Sequence, residues 1–313
     1  MMMAWAFVCC AFPLTVSAQV ASEETLYPRK MVIEKGTGTW CPNCPIGIVG
    51  VGKMAERYPD TVIPIDIHYG NDPMYCEAYR NFGIFSVPDA QINRKPYMNG
   101  TEKEYVVYPT FESLHSFYAT STAPVHAKVE TTIVPKDGTS YILETYTTLG
   151  FSTTTANYRI AYVILEDNVG PYNQVNAFAG SGASVGGWEN YGSVVSYVYN
   201  NVARTVLPNL RGMGNNIPTT MTRDVPHKKN LRIEPAQYVD NLENAKVVTL
   251  LLHGETGEII NADIARFAGV TAVDSPLMET KAEAETEVYD LYGRRLAQPQ
   301  KGLNIIGGKK VMR

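Results

Sequence analysis

Apolar and polar positions change rhythm along this chain. Lys30 to Lys35 (KMVIEK) has the character of a strand and runs directly into Gly36-Thr37-Gly38-Thr39-Trp40-Cys41-Pro42-Asn43-Cys44-Pro45. Beyond it Ile48, Val51, Ala55 and Tyr58 recur at the spacing of one helix face, which predicts a helix after Cys44. Val62 to Tyr69 (VIPIDIHY) is the next strand, with Ile63, Ile65 and Ile67 alternating. A polar segment carrying Cys76 and Tyr79 reads as helical. Gly83 to Pro88 then leads to a strand at Asp89 to Asn93 and a turn at Gly100. A helix from about Pro109 closes this α/β stretch, with Phe111, Leu114, Phe117 and Tyr118 on one stripe.

From Pro124 the texture becomes Thr-rich and Tyr-rich, with alternating segments at Val125 to Val134, Tyr141 to Leu149, Tyr158 to Leu165 and Lys246 to His253. Short alternating strands between Gly, Asn and Pro turns predict an antiparallel β-sandwich over 124–268, with long loops at Gly180 to Gly192 and Arg211 to Pro218. A small-residue, Glu-rich linker over 269–286 precedes a C-terminal segment, 287–313, that reads as two short strands around a turn.

Composition narrows the function classes. The chain has 313 residues, 45% of them hydrophobic and 19% charged, which suits a folded globular protein. A net charge of −4 supplies no phosphate-neutralising surface, so no nucleic-acid partner is expected. The one long uncharged apolar stretch, Met1 to Ala18, ends in Val16-Ser17-Ala18 and reads as a cleavable secretory signal. It carries Cys9 and Cys10 with it, leaving Cys41, Cys44 and Cys76 in an extracytoplasmic compartment where thiols oxidise.

A strand that delivers Cys-x-x-Cys to the first turn of a helix is a dithiol site with a mechanism. An exposed Cys41 at the helix N-terminus has its thiolate favoured by unpaired N–H groups and the positive dipole end. Pro42 and Pro45 fit the first turn, where a missing donor costs nothing, and leave the N–H groups of Asn43 and Cys44 near the Cys41 sulfur. Cys44, one turn on and more buried, is placed to resolve a mixed disulfide. In Ser86-Val87-Pro88 the proline stands 44 positions after Cys44 and opens a strand in a way that predicts a cis peptide facing the dithiol.

Trp40-Cys41-Pro42-Asn43-Cys44 followed by Gly83-Ile84-x-Ser86-Val87-Pro88 resembles the thioredoxin superfamily. The resemblance implies a nucleophilic Cys41, a resolving Cys44, and substrate backbone pairing at Val87 and Pro88, with Trp40, Pro42 and Asn43 supporting. More narrowly, the Glu34 to Pro45 run, Tyr158 to Val163 with Glu166-Asp167, and Gly257 to Ala262 resemble the 28-kilodalton outer-membrane-protein family of Bacteroidetes. That implies a reduced thioredoxin-like domain over 28–122, lacking the first strand and helix, joined to a β-sandwich and exposed at the cell envelope. Six positions before Cys41, where thioredoxins carry a buried carboxylate, stands Lys35; its neighbour Glu34 is a proton acceptor only if the register slips by one. The segment Val288-Tyr289-Asp290-Leu291-Tyr292-Gly293, with Lys301-Gly302-Leu303, resembles a shortened sorting domain of type IX secretion cargo.

These readings make the protein an extracytoplasmic thiol-disulfide oxidoreductase acting on protein thiols or disulfides. Its electrons would come from a membrane donor, and the secretion machinery would engage its C-terminal tail. No cofactor or metal is expected. The rival is an envelope binding or structural protein whose sandwich does the work and whose Cys41–Cys44 pair is a static staple. Cys41, Cys44, His68 and Cys76 are four zinc-type ligands at loose spacing, and Gly47 to Met54 spells a phosphate loop up to its last residue, inside the predicted helix.

Overall fold

The computed structural model describes residues 24–84, 86–95, 97–99, 102–104 and 107–269, and four short strands near the C-terminus. The apolar leader at 1–18, the Gly100 turn and nearly all of the 269–286 linker lie outside the described residues.

Strand β1 (Met31–Thr37) runs into a loop and then α1 (Pro45–Arg57), and β2 (Val62–His68) returns parallel to β1, with Lys35 opposite Asp66 and Thr37 opposite His68. Strand β3 (Asp89–Ile92) lies antiparallel on the other edge of β1. A small hairpin, β4 (Tyr97–Asn99) and β5 (Glu102–Glu104), follows, then α2 (Phe111–Ser121). Pro45 opens α1, where its missing N–H is no loss, and Arg57 sits in its last turn. At α2 the Thr110 side chain accepts the Ser113 N–H at 3.1 Å, so Pro109 lies just outside the helix rather than in its first turn. Every residue of β1 and β2 is buried, because Met31 and Ile33 face α1 and α2 while Val32, Ile63, Ile65 and Ile67 face a second core. The segment around Cys76 and Tyr79, expected as a helix, makes a single 3₁₀ turn at Glu77–Tyr79.

The remaining strands are β6 (Ala127–Pro135), β7 (Tyr141–Leu149), β8 (Tyr158–Glu166), β9 (Val169–Val175), β10 (Val194–Tyr199), β11 (Val202–Leu207), β12 (His227–Ile233), β13 (Ala245–His253) and β14 (Ile259–Arg266). Seven strands form one mixed sheet in the order β14-β13-β8-β11-β2-β1-β3. The join is narrow: β11 touches β2 through the single pairing of Val202 with Asp66, which leaves Pro64 without a ladder to break on that edge. The three-stranded sheet β12-β7-β6 packs face to face on β8 and β13. There Val129, Ile133 and Leu143 meet Ile160, Tyr162, Ile164, Val247 and Leu251. The opposite residues of β8, Ala161, Val163 and Leu165, share a core with Ile63, Ile65, Cys76, Tyr79 and Ile84.

Strands from both sides of residue 123, where the sequence places a boundary, pair in the seven-stranded sheet and share a core, within the compact unit that runs to residue 270. The architecture of the described residues is a β-rich fold with a mixed sheet and two α-helices. Residues 271–313 form a separate unit whose described part is a four-stranded sheet, β15 (Val288–Tyr289), β16 (Arg295–Leu296), β17 (Leu303–Ile306) and β18 (Lys309–Met312), in the order β16-β15-β17-β18. Two short strands were expected there.

Candidate functional site

The loop from Gly38 to Cys44 leaves the buried end of β1 and turns tightly into α1, with the Cys41 N–H donating to the Gly38 carbonyl at 3.1 Å and the Cys44 N–H to the Cys41 carbonyl at 3.3 Å. This winding brings the two cysteines together, and they form a disulfide with Cα atoms 5.4 Å apart. Cys44 is the N-cap of α1, and its carbonyl accepts the Gly47 and Ile48 N–H groups at 3.0 and 3.1 Å. The Val87–Pro88 peptide is cis, and the Val87 carbonyl oxygen lies 3.6 Å from Cys41 Sγ. A thiol at that sulfur would have this oxygen as its acceptor. Trp40 is 48% exposed and donates through Nε1 to the Tyr69 carbonyl at 3.0 Å; Pro42 and Asn43 are also exposed.

Exposure departs from expectation at Cys41. It is only 2% exposed and Cys44 is fully buried, so the difference in access expected between the two is almost absent. The cover comes from a part of the chain that sequence reasoning did not connect with the dithiol. The end of β9 lies along the loop, where the Val175 N–H donates to the Thr39 carbonyl at 2.8 Å and the Ala177 N–H to the Pro42 carbonyl at 2.9 Å. The buried Gln174 Nε2 donates to the Cys41 carbonyl at 2.8 Å, and its Oε1 accepts from the Tyr199 hydroxyl at 2.8 Å. Asp72 holds the loop from its other side, accepting the Thr39 N–H at 2.6 Å and the Met74 N–H at 2.9 Å. No motif marks Gln174, Asp72 or Tyr199; only the path of the β9–β10 hairpin and of the turn after β2 brings them here.

Beneath α1 runs a buried polar layer. Lys35 Nζ lies 2.8 Å from Asp66 Oδ2, and His68 Nδ1 lies 3.0 Å from Asp72 Oδ1, out of line for a hydrogen bond. Burial pushes the Asp72 carboxyl up, but His68 and the two backbone N–H donors outweigh it and hold it below its ordinary 3.8. Glu34 is on the opposite face of β1 from Lys35, because the register did not slip. Its carboxylate takes Arg94 Nε at 2.8 Å and Nη2 at 2.6 Å, and the Tyr79 hydroxyl at 2.8 Å. Glu34 thus sits in a buried ion pair, and the one-residue slip on which a proton-acceptor role depends is not seen.

Cys76 lies in the core on that same far face, and burial pushes its thiol up to about 11, so it stays protonated at neutral pH. Among the described residues no group of three or more His, Cys, Asp or Glu side chains is arranged to hold a metal. Gly47 to Met54 lies within α1, so the phosphate-loop spelling has no loop. Two of its glycines allow close packing instead: a Cβ at Gly50 would stand 2.0 Å from the Pro109 carbonyl oxygen, and one at Gly47 3.3 Å from Lys35 Cδ and from Pro88 Cβ.

No protein-family model matches the sequence, and no curated protein matches it. Among solved structures it is similar to HBP35 of Porphyromonas gingivalis, with a TM-score of 0.56 and 15% identity over 91% of this chain and 97% of that one. The two chains share a fold. A weaker likeness, at a TM-score of 0.41 and 15% identity, is to protein AGR_C_4864 from Agrobacterium tumefaciens, covering 78% of this chain and 97% of that one.

Proposed function

We propose that this protein is an extracytoplasmic thiol-disulfide oxidoreductase, with Cys41 as nucleophile and Cys44 as resolving thiol, on a thioredoxin-like arrangement over 28–122 joined to a β-sandwich over 124–268. The observation that carries the reading is the approach of the Val87 carbonyl, one residue before Pro88, to Cys41 Sγ at 3.6 Å, in the turn that leads from β1 into α1; Cys41 and Pro42 precede the helix, whose N-cap is Cys44, and do not lie in its first turn. Cys41 thiolate attacks a client disulfide, forming a mixed disulfide and releasing one client thiolate, which takes up a proton. Cys44 thiolate then attacks Cys41 Sγ and releases the second client thiol, leaving the Cys41–Cys44 disulfide and a client reduced by two electrons. A dithiol donor at the membrane would return the pair to its reduced form, with Trp40, Pro42 and Asn43 forming the exposed rim that meets the partner.

The apolar leader at 1–18 supports a place at the cell envelope, in the periplasm, outer membrane or surface, with the 287–313 segment as an address read by secretion machinery. No helix among the described residues is long and apolar enough to cross a membrane.

One observation favours the rival reading, in which the pair is a static staple of a surface binding protein: the 2% exposure of Cys41. Trapping separates the two. A Cys44→Ser variant cannot resolve, so it should accumulate mixed disulfides through Cys41 with protein clients, visible as bands that collapse on reduction. A Cys44→Ser variant that captures nothing when challenged with a denatured disulfide protein would favour the staple.

A further inference from the structure

We infer that Gln174 is a positioning residue for the dithiol, coupling the β9–β10 hairpin to the Cys41 peptide and so setting how strongly the Cys41–Cys44 disulfide is held. The inference deepens the redox reading and rests on it.

A proline has no N–H, so the Cys41–Pro42 peptide can be hydrogen-bonded only through its carbonyl oxygen. That oxygen takes the Gln174 side chain at 2.8 Å and the Cys44 N–H at 3.3 Å. Gln174 is wholly buried and itself fixed: Oε1 by Tyr199 at 2.8 Å, Nε2 by the Val175 carbonyl at 2.8 Å as well as by Cys41. Tyr199 is only 1% exposed and packs edge-on against His68, with ring centroids 5.1 Å apart. The amide therefore has no freedom of its own to follow a loop that moves, and the Val175 and Ala177 N–H groups hold the carbonyls of Thr39 and Pro42 on either side of Cys41.

A loop fixed from outside keeps its two sulfurs together when the disulfide is cut. The reduced pair then gains little freedom on opening, which favours reclosure and makes the disulfide harder to reduce. A burial cost also follows, since a Gln with only part of its bonds made would not be held in a dry site.

The test is the equilibrium of the folded, full-length protein with glutathione, in which the protein disulfide and two glutathione thiols give the protein dithiol and glutathione disulfide. Gln174→Ala should make the Cys41–Cys44 disulfide about five- to tenfold easier to reduce, about 20 to 30 mV for a two-electron couple. Iodoacetamide should also label the reduced Cys41 about tenfold faster. Tyr199→Phe keeps the ring and removes only the hydroxyl that fixes the amide, so it should shift both readouts in the same direction by a smaller factor, and it decides the matter alone if Gln174→Ala does not fold. A merely structural Gln174 would lower the melting temperature while leaving both readouts within twofold of the wild type, and that result overturns the inference. Because the readouts are taken on the pair itself, a wild type that reduces no protein disulfide yet shows the Gln174-dependent shift would sink the oxidoreductase reading and leave this one standing.

Discussion

Glu34 and Arg94 form a two-pronged ion pair, Nε to Oε2 at 2.8 Å and Nη2 to Oε1 at 2.6 Å, on the face of β1 that points away from α1. Both side chains are buried, and Tyr79 completes the shell of the carboxylate. Removing Glu34 strands a buried guanidinium. Glu34→Ala should therefore destabilise the fold by about 3–5 kcal/mol in denaturant unfolding, while the folded fraction keeps its dithiol chemistry. Loss of dithiol turnover in a variant of unchanged stability would return Glu34 to the role of proton acceptor.

Asp72 ties the Gly38–Cys44 loop to the end of β2, and its lowered pKa gives this tie a pH dependence. A carboxyl depressed in the folded state contributes stability that is complete above its unfolded value of 3.8 and is lost as pH falls through the folded value. Asp72→Asn should cost about 1.5–3 kcal/mol at neutral pH. The gap between wild type and variant should stay level down to about pH 5 and narrow below about pH 4. A gap that does not change with pH would show that the carboxylate form plays no part.

Two glycines two positions apart on α1, and so on different faces of the helix, should respond with opposite signs. At Gly50 an added Cβ meets the Pro109 carbonyl oxygen and the Phe111 nitrogen at 2.0 and 2.9 Å, both backbone atoms that cannot step aside, so Gly50→Ala should cost about 3 kcal/mol or more. At Gly52 nothing lies within 4 Å, and Gly52→Ala should stabilise by about 0.5–1 kcal/mol through helix propensity. Thermal unfolding of the two variants checks both.

Some of this was legible in the residues and some was not, for physical reasons. The β1-α1-β2 unit and the Cys41, Cys44 and Pro88 positions announce themselves through local periodicity and a motif with few other uses. The face on which Glu34 lies did not, because β1 is buried on both sides and MVIEKGT carries no alternation to fix its parity. Strand β11 hides for a related reason: its Arg204 and Thr205 interrupt the apolar pattern, yet it sits inside the mixed sheet between β8 and β2. Gln174 reaches Cys41 across 133 positions, and a single glutamine on a strand carries no local sign of such a contact.

The C-terminal unit, residues 271–313, is compact on its own. If 287–313 is an address, deleting it should leave folding and thiol chemistry intact and move the protein from the outer surface to the periplasm in fractionation and surface-protease experiments. An unchanged location, or a truncated chain that no longer folds, would make the segment a structural one.

The central claim is that Cys41 turns over. Its most direct measurement is the rate at which the purified protein accelerates reduction of insulin disulfides by dithiothreitol, compared with Cys41→Ser at equal concentration. The account predicts acceleration by the wild type and a background rate for the variant. Equal background rates for both would contradict it and leave the Cys41–Cys44 bond as a staple.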